Sequence, residues 1–271
     1  MEHRESQKKW GTLLSASLIE QIEAAARREG VTISQFAARS LSARVHPSLL
    51  SRFPPDTRVV ASHEGDRAYA GDLGALLVLA DRWAGESLRV LPGSPAVVGR
   101  NREVGPELRR SVVSLCSPKR NRFTQYLQEG FAPEDLTIAE CHCFSDSDAE
   151  YYPRQWHVVQ GNREVFRHAI PLVGSGGAVY ETWGLIRHSA NPWGIDSAAR
   201  CLLLAGVDQS ATFACALAAT SGRFFASLCA GLGIRPGDAL PSFECLVAVR
   251  MLQQGEPVPL EPFPGTLRRL E

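Results

Sequence analysis

The sequence predicts an α/β protein in which a small N-terminal helical hairpin is followed by a larger domain built on a mixed sheet. Two capped helices lie next to each other near the N-terminus, and helical and strand patterns alternate from residue 73 onward. A continuous apolar run over 201–205, closed by Gly206, is typical of a strand buried on both faces. The chain has 271 residues, 44% of them apolar, and is long enough to bury a sizeable core.

The N-terminal helices are predicted from their capping patterns. A Ser-x-x-Glu capping box begins at Ser17 and predicts a helix over 18–28, which Gly30 ends. A second box, of the form Thr-x-x-Gln, begins at Thr32 and predicts a helix that runs to Val45. Together they form a helical hairpin with a short turn.

Residues 10–45, WGTLLSASLIEQIEAAARREGVTISQFAARSLSARV, resemble the ribbon-helix-helix family of DNA-binding dimers. The likeness consists of a short extended segment, a capped helix, a Gly-Val-Thr turn and a second capped helix. It implies a homodimer in which residues 10–14 of two chains pair into a ribbon that enters the major groove of DNA. It also implies that the second helix begins at a DNA phosphate. The DNA contacts that it assigns are Lys8, Lys9, Thr12, Thr32 and Ser34.

The same hairpin has a second interpretation, in which it only dimerises, packs on the main domain or recruits a partner. About 30 residues cannot bury a core alone, so the hairpin must pack against something. Residues 1–44 hold seven Lys and Arg against five Asp and Glu, a net of +2. That charge is small for a surface that displaces counterions from DNA.

Composition divides the chain into four segments. Residues 1–50 form the N-terminal unit, and residues 51–72, rich in Pro, Gly and charge, are interpreted as a linker. Residues 73–256 form the α/β domain that binds a ligand or acts as a sensor. Residues 257–271 are Pro-rich and are expected to form an extended or partly ordered tail.

Apolar periodicity predicts alternating elements within the larger domain. Helices are expected over 73–83, over 123–128 and, as one long Ala-rich helix, over 211–230. Strands are expected over 88–91, 111–116, 156–159, 165–172, 178–187 and 201–205. The glycines between 174 and 177 predict that the strands at 165–172 and 178–187 form a hairpin.

The first candidate ligand site follows the strand at 111–116, where the sequence reads SPKRNRF. Residues 100–122 hold seven Lys and Arg against two Asp and Glu, a net of +5. Ligands of α/β sheets bind at the carboxyl ends of strands, so we expect an anion here, such as the phosphate of a nucleotide or nucleic acid. The assigned residues are Ser117, Lys119, Arg120, Asn121 and Arg122, with Asn121 capping the next helix. The alternative is a basic surface exposed to solvent.

The second candidate site is the crossing LLLAGVDQSATFACALAA over 202–219. Gly206 allows a tight turn, and Ser210 and Thr212 place hydroxyls near the free N–H groups of a helix start. The spacing matches neither a Walker A loop nor a dinucleotide-binding fingerprint. If the two crossings lie side by side, we expect a nucleotide-like ligand to bridge them; otherwise this one is only a capped connection.

We identify no catalytic constellation, so the sequence leaves open whether the protein is an enzyme, and it identifies no cofactor. Cys116 ends a strand beside basic residues that are able to lower its pKa. Its candidate partners are His142, His157, His168 and His188, but no spacing selects one. Buried thiols and hydrogen-bonded histidines are the alternative. The C-x-C spacing of Cys141, His142 and Cys143 is not that of a zinc site, and we expect no metal.

The charges cancel over the whole chain, with 29 Lys and Arg against 29 Asp and Glu. This balance excludes bulk attraction to nucleic acid or anionic membrane but leaves local contacts open. Residues 134–150 hold six carboxylates and no Lys or Arg, a net of −6, and are expected to face solvent or the basic stretch at 100–122. The absence of a signal-like or membrane-spanning segment and the scattered cysteines predict a cytoplasmic protein with reduced thiols.

The leading hypothesis for function is a dimeric DNA-binding transcriptional regulator. Its α/β domain binds a small anionic or nucleotide-like ligand, or a protein partner. The alternative is a nucleotide-binding effector or enzyme whose N-terminal hairpin only dimerises or recruits a partner. A third hypothesis is a protein-interaction sensor module without a small ligand.

Overall fold

The computed structural model describes residues 32, 47–54, 56–62, 70–82, 89–93, 99, 102–118, 120–141, 155–160, 163–166, 179–252, 258–262 and 265–270. The chain divides into two compact units, Met1–Pro47 and Ser48–Glu271, and the second contains every helix and strand that the structure describes. The predicted N-terminal helices, and with them Lys8, Lys9, Thr12 and Ser34, lie outside the described residues. Thr32 is described and is exposed.

A mixed sheet forms the centre of the second unit, as the sequence predicts. The described strands are β1 (Arg58–Ala61), β2 (Arg89–Pro92), β3 (Val112–Leu115), β4 (Leu136–Cys141), β5 (Gln155–Gln160), β6 (Arg163–Phe166), β7 (Val179–Ala190), β8 (Arg200–Gly206), β9 (Phe243–Leu252), β10 (Val258–Pro262) and β11 (Arg268–Arg269). The main sheet has the order β10-β9-β7-β8-β3-β1-β2, and β11 also pairs with β9. Its β2, β1, β3 and β8 are parallel, whereas β7, β9 and β10 run antiparallel to their neighbours.

Helices cover the sheet from both sides. They are α1 (Ala70–Arg82), α2 (Arg122–Glu129), α3 (Gln209–Thr220) and α4 (Gly222–Leu232). Helices α1, α3 and α4 pack on one face, against side chains such as Val59, Val113 and Leu204. Their neighbours Val60 and Val112, and Leu203 of β8, point to the opposite face, as the two-residue period of a strand requires.

The opposite face carries two different coverings. Helix α2 packs there through Phe123 and Leu127. Beside it, β4, β5 and β6 form a separate three-stranded antiparallel sheet, whose Leu136, Ile138 and Val158 pack on the antiparallel half of the main sheet. The unit therefore has three layers, with the main sheet buried in the middle.

Two segments that composition assigns to a linker and a tail belong to the sheet instead. Residues 51–72 contain β1, which lies between β2 and β3 and is buried along its whole length. Residues 257–271 contain β10 and β11, which both pair antiparallel with β9. The expectation of a linker was wrong because Pro and charged residues beside a short strand obscure its apolar pattern. The described part of the tail is extended, as expected, and it is paired with β9.

One prediction of local structure lies mostly outside the described residues, and another is wrong. Of the strand predicted over 165–172, only residues 165 and 166 are described, within β6, which pairs with β5; the predicted hairpin turn over 174–177 is not described, and β7 pairs with β8 and β9. The long Ala-rich helix is two helices, α3 and α4, whose axes differ by 80°. Ser221 separates them, and its hydroxyl caps α4 by accepting the N–H of Phe224.

A closed ring of four charges joins the main sheet to the small sheet. Arg187 contacts Asp135 at 2.8 Å and Glu244 at 2.9 Å, and Arg268 contacts the same two carboxylates at 2.6 Å each. Glu244 is fully buried, and it also accepts the N–H of Leu136 at the start of β4. Asp135, in the acidic stretch expected to face solvent or residues 100–122, is thus paired with arginines of other strands.

Candidate functional site

The chain changes sides of the sheet between two adjacent parallel strands. β1 is followed by α1 on one face, whereas β3 is followed by α2 on the other. Because β1 and β3 are neighbours, their connections diverge at the carboxyl ends of the two strands, and we refer to this place as the crevice. Such topological switch points are where open α/β sheets bind ligands. Ser62 and Cys116 are the residues that follow β1 and β3 directly.

The connection from β3 to α2 is organised by Asn121. Its amide oxygen accepts the N–H groups of Phe123 and Thr124, which confirms the predicted cap of α2. Its amide nitrogen donates to the carbonyls of Val60 and Leu115, so it also ties the turn to β1 and β3. A turn fixed in this way holds the neighbouring side chains in a defined position.

The cap also determines which hydrogen-bond donors at the start of α2 remain free to bind an anion. The first free N–H groups of α2 bond to Asn121, and the N–H of Arg122 donates to the carbonyl of Gly93, so any positive charge must come from side chains. Arg122 Nη1 is buried and, within the described part of the chain, has no hydrogen-bond partner. Ser117 is buried and Arg120 half-buried, while Lys119 lies outside the described residues.

A second polar cluster reaches the crevice from the α1 side. Asp72 lies in the first turn of α1 and is only 1% exposed. The Cys116 thiol and the backbone N–H of Ser62 lie close enough to this carboxyl to lower its pKa. Among the described residues, Asp72 Oδ2 and Ser62 Oγ have no hydrogen-bond partner, although both are buried.

Burial sets the protonation of this cluster. It raises the pKa of Asp72 to about 6, because hydrogen bonds from Cys116 and Ser62 offset only part of the desolvation. Burial, and then the charge of Asp72, raises the pKa of Cys116 to about 12. The thiol is therefore protonated at neutral pH, and the expectation that basic neighbours lower its pKa is wrong.

The backbone of Cys116 has a conformation unusual for a residue with a side chain. Its φ is 82°, in the left-handed region that favours glycine, and its N–H donates to the carbonyl of Leu204 in β8. Strained backbone of this kind persists where the surrounding structure requires it, and it is concentrated at functional sites. Here it places the thiol beside Asp72.

The second crossing lies next to the first, because β3 and β8 are parallel neighbours. The side chains of Asp208 and Thr212 already have hydrogen-bond partners. Asp208 caps α3 through Ala211 and accepts the hydroxyl of Thr182, while Thr212 Oγ1 accepts the N–H of Gly206. Ser210 is half-buried at the helix start. The carboxylate of Asp208 makes this crossing less favourable for an anion than the first.

A separate groove of about 400 Å³ lies beside the C-terminal ends of α2 and β7. Its lining includes Tyr126, Phe131 and Trp193 together with Arg102 and Arg187. Both arginines already pair with carboxylates, and Arg187 stacks on the Phe131 ring at 3.6 Å. No sequence pattern pointed to this groove.

Of the four candidate histidines, the structure describes His157 and His188, and both are buried. His188 is buried between Phe53 and Phe243 and bonds to the carbonyl of Pro241, and burial lowers its pKa to about 4. Cys141 ends β4, while His142, Cys143 and His168 lie outside the described residues. The described residues contain no cluster of three or more side chains able to hold a metal ion.

No helix of the described residues is long and apolar enough by itself to cross a membrane; α3 and α4 meet that criterion only as a bent pair. The comparisons with known proteins give no relative. No family model, no curated protein and no solved structure matches the chain.

Proposed function

We propose that the Ser48–Glu271 unit is an effector module that binds a small anionic, nucleotide-like ligand in the crevice between the carboxyl ends of β1 and β3. The observation that carries this proposal is that, within the described residues, three buried polar atoms have no hydrogen-bond partner: Ser62 Oγ directly after β1, Asp72 Oδ2 in the first turn of α1, and Arg122 Nη1 at the start of α2. Buried polar atoms in native structures almost always have partners. A bound ligand supplies them at the place where this topology binds ligands.

Arg122 supports an anionic ligand. An arginine donor that is buried without a partner loses hydration and gains nothing in return, whereas a phosphate or carboxylate oxygen restores a charge-assisted hydrogen bond. The turn that carries Arg122 is fixed by Asn121 and Gly93, so little ordering is required on binding. The adjacent Arg120 adds to the positive charge of the same turn.

The test is thermal unfolding of the full chain with inorganic phosphate and with nucleoside mono-, di- and triphosphates. A ligand at 100 times its dissociation constant stabilises the unit by about 2.7 kcal/mol. We expect Arg122→Gln to remove this stabilisation. Arg109→Gln serves as the matched control, because Arg109 is exposed and precedes β3 rather than following it. Stabilisation by none of these anions, or an equal loss in both variants, contradicts the proposal.

We propose further that the N-terminal segment binds DNA and that the effector module regulates it. The support is the resemblance of residues 10–45 to the ribbon-helix-helix family and the division of the chain after Pro47. In gel-shift assays with the DNA upstream of its own gene, we expect salt-sensitive binding that is lost when Lys8 and Lys9 are both replaced by Ala. Binding that survives deletion of residues 1–47 overturns this part.

A further inference from the structure

We propose that the crevice has two subsites which read the two ends of a nucleoside monophosphate unit, Arg122 binding the phosphate and the Asp72–Ser62–Cys116 cluster binding a hydroxyl or amino group of the nucleoside. This inference rests on the proposed function and specifies its ligand class. Helix α2 brings the first subsite from one face of the sheet, and α1 brings the second from the other.

The two subsites belong to different elements, since Asp72 lies in the first turn of α1 and Arg122 begins α2. Within the described residues neither Asp72 Oδ2 nor Arg122 Nη1 has a hydrogen-bond partner, so these two atoms do not pair with each other. An ion as small as inorganic phosphate satisfies the guanidinium but leaves the carboxyl and the Ser62 hydroxyl without partners, whereas a longer ligand satisfies both ends.

The chemistry of the Asp72 subsite selects a hydrogen-bond donor. Oδ2 of this carboxyl has acceptor capacity that no described residue uses. The Ser62 hydroxyl, also unpartnered, is able to donate or accept. Ribose hydroxyls and exocyclic amino groups of bases provide donors of this kind, whereas phosphate oxygens at neutral pH do not.

Cys116 acts as a positioning residue in this arrangement. Its thiol stays protonated and lowers the pKa of the neighbouring Asp72, and its backbone at the start of the turn after β3 is left-handed. No covalent step is involved. This role differs from that of a nucleophile, which requires a thiolate.

The test is isothermal titration of the full chain with inorganic phosphate, with the four common ribonucleoside 5′-monophosphates and with the 2′,3′-dideoxy form of the tightest of them. We expect that nucleotide to bind at least tenfold more tightly than phosphate. Asp72→Asn is expected to weaken the nucleotide at least tenfold while leaving phosphate within twofold. Arg122→Gln is expected to weaken both.

Asp81→Asn is the matched control, because Asp81 lies on the same helix but is exposed, and it should leave every affinity unchanged. Folding of each variant is checked by its thermal midpoint without ligand. Phosphate binding that depends on Arg122, with nucleotides no tighter, or an equal effect of Asp72→Asn on nucleotide and phosphate, overturns this inference and leaves the proposed function standing. No binding of any anion overturns both.

Discussion

Asp72 is a carboxyl group in a position where an apolar side chain would stabilise the fold better. It lies in a helix whose other sheet-facing residues, such as Ala75 and Leu79, are apolar and fully buried. An ionisable group kept in such surroundings is typical of functional sites, where stability is given up for binding or chemistry.

Because the pKa of Asp72 is raised, the stability that this buried carboxyl costs depends on pH and is measurable. Below its ordinary pKa of 3.8, Asp72 is protonated in both the folded and the unfolded state. As the pH rises from 3.8 to about 6, the unfolded state has lost this proton while the folded state still keeps it, so the fold is increasingly destabilised. The destabilisation is complete above the folded pKa. A shift of this size corresponds to roughly 3 kcal/mol at neutral pH.

We therefore expect Asp72→Asn to become more stable relative to the wild type as the pH increases from 3 to 7, by about 3 kcal/mol. Urea unfolding at four or five pH values measures the difference in free energy. Asp81→Asn, on the exposed side of the same helix, should show no such trend. A difference that stays flat with pH would show that Asp72 is not desolvated in the folded protein.

Of the residues of the candidate site, those in the turn after β3 were predicted from the sequence, and those on the α1 side were not. Arg122 and Asn121 were assigned because a basic turn after a buried strand has a local signature. Asp72 and Ser62 were missed because their meeting with Cys116 depends on the pairing of β1 with β3. The available signal was an acidic residue in an otherwise apolar helix, AGDLGALLVLA.

Asn121 links three elements, because its side chain caps α2 and donates to the ends of β1 and β3. Its amide also donates to the hydroxyl of Ser114 at 3.2 Å. It is fully buried, so water cannot replace these bonds when the side chain is removed. The turn that carries Arg122 depends on this one residue.

Asn121→Ala is expected to lower the free energy of unfolding by about 2–4 kcal/mol, from the lost cap and from buried carbonyls left without donors. Chemical denaturation measures the loss. Gln125→Ala, on the exposed side of α2, provides the reference and should change stability by less than about 0.5 kcal/mol. Equal effects of the two substitutions would contradict the role given to Asn121.

Elements with strong local patterns were predicted, and those defined by distant partners were not. α1, α2, β3 and β8 lie where apolar periodicity places them. The pairing of β6 with β5 was not predicted, because glycines show where a chain turns but do not show which strand it pairs with. The break at Ser221 was missed because a serine within an Ala-rich stretch is compatible with both a continuing helix and a cap.

Some of the charges that sum to zero over the chain are paired with one another inside the fold. Two arginines and two carboxylates form the ring of Asp135, Arg187, Glu244 and Arg268, which holds β4 of the small sheet against β7, β9 and β11. Burial raises the pKa of Glu244 although both arginines act in the opposite direction. A buried ring of this kind specifies how the layers join more than it stabilises them.

Removing Glu244 leaves two arginines with a single carboxylate, Asp135, so one positive charge of the ring is no longer compensated. We expect Glu244→Ala to lower the free energy of unfolding by about 3–5 kcal/mol, and Glu244→Ala combined with Arg268→Ala to lose less than the sum of the two single changes. Unfolding of the single and double variants forms the required cycle. Strict additivity would mean that the two side chains do not interact. Arg102→Ala, which breaks an exposed pair with Glu129, should change stability by less than about 1 kcal/mol.

The position of β8 between β3 and β7 has a consequence for biosynthesis. β3 is made early, but the strand that covers its free edge is synthesised only at residues 200–206, after the whole small sheet. Until then, a nascent chain presents the unpaired edge of β3, a strand destined for burial on both faces. Ribosome-bound chains that stop before residue 200 should therefore aggregate or recruit chaperones, whereas chains extended past residue 206 should not present this edge.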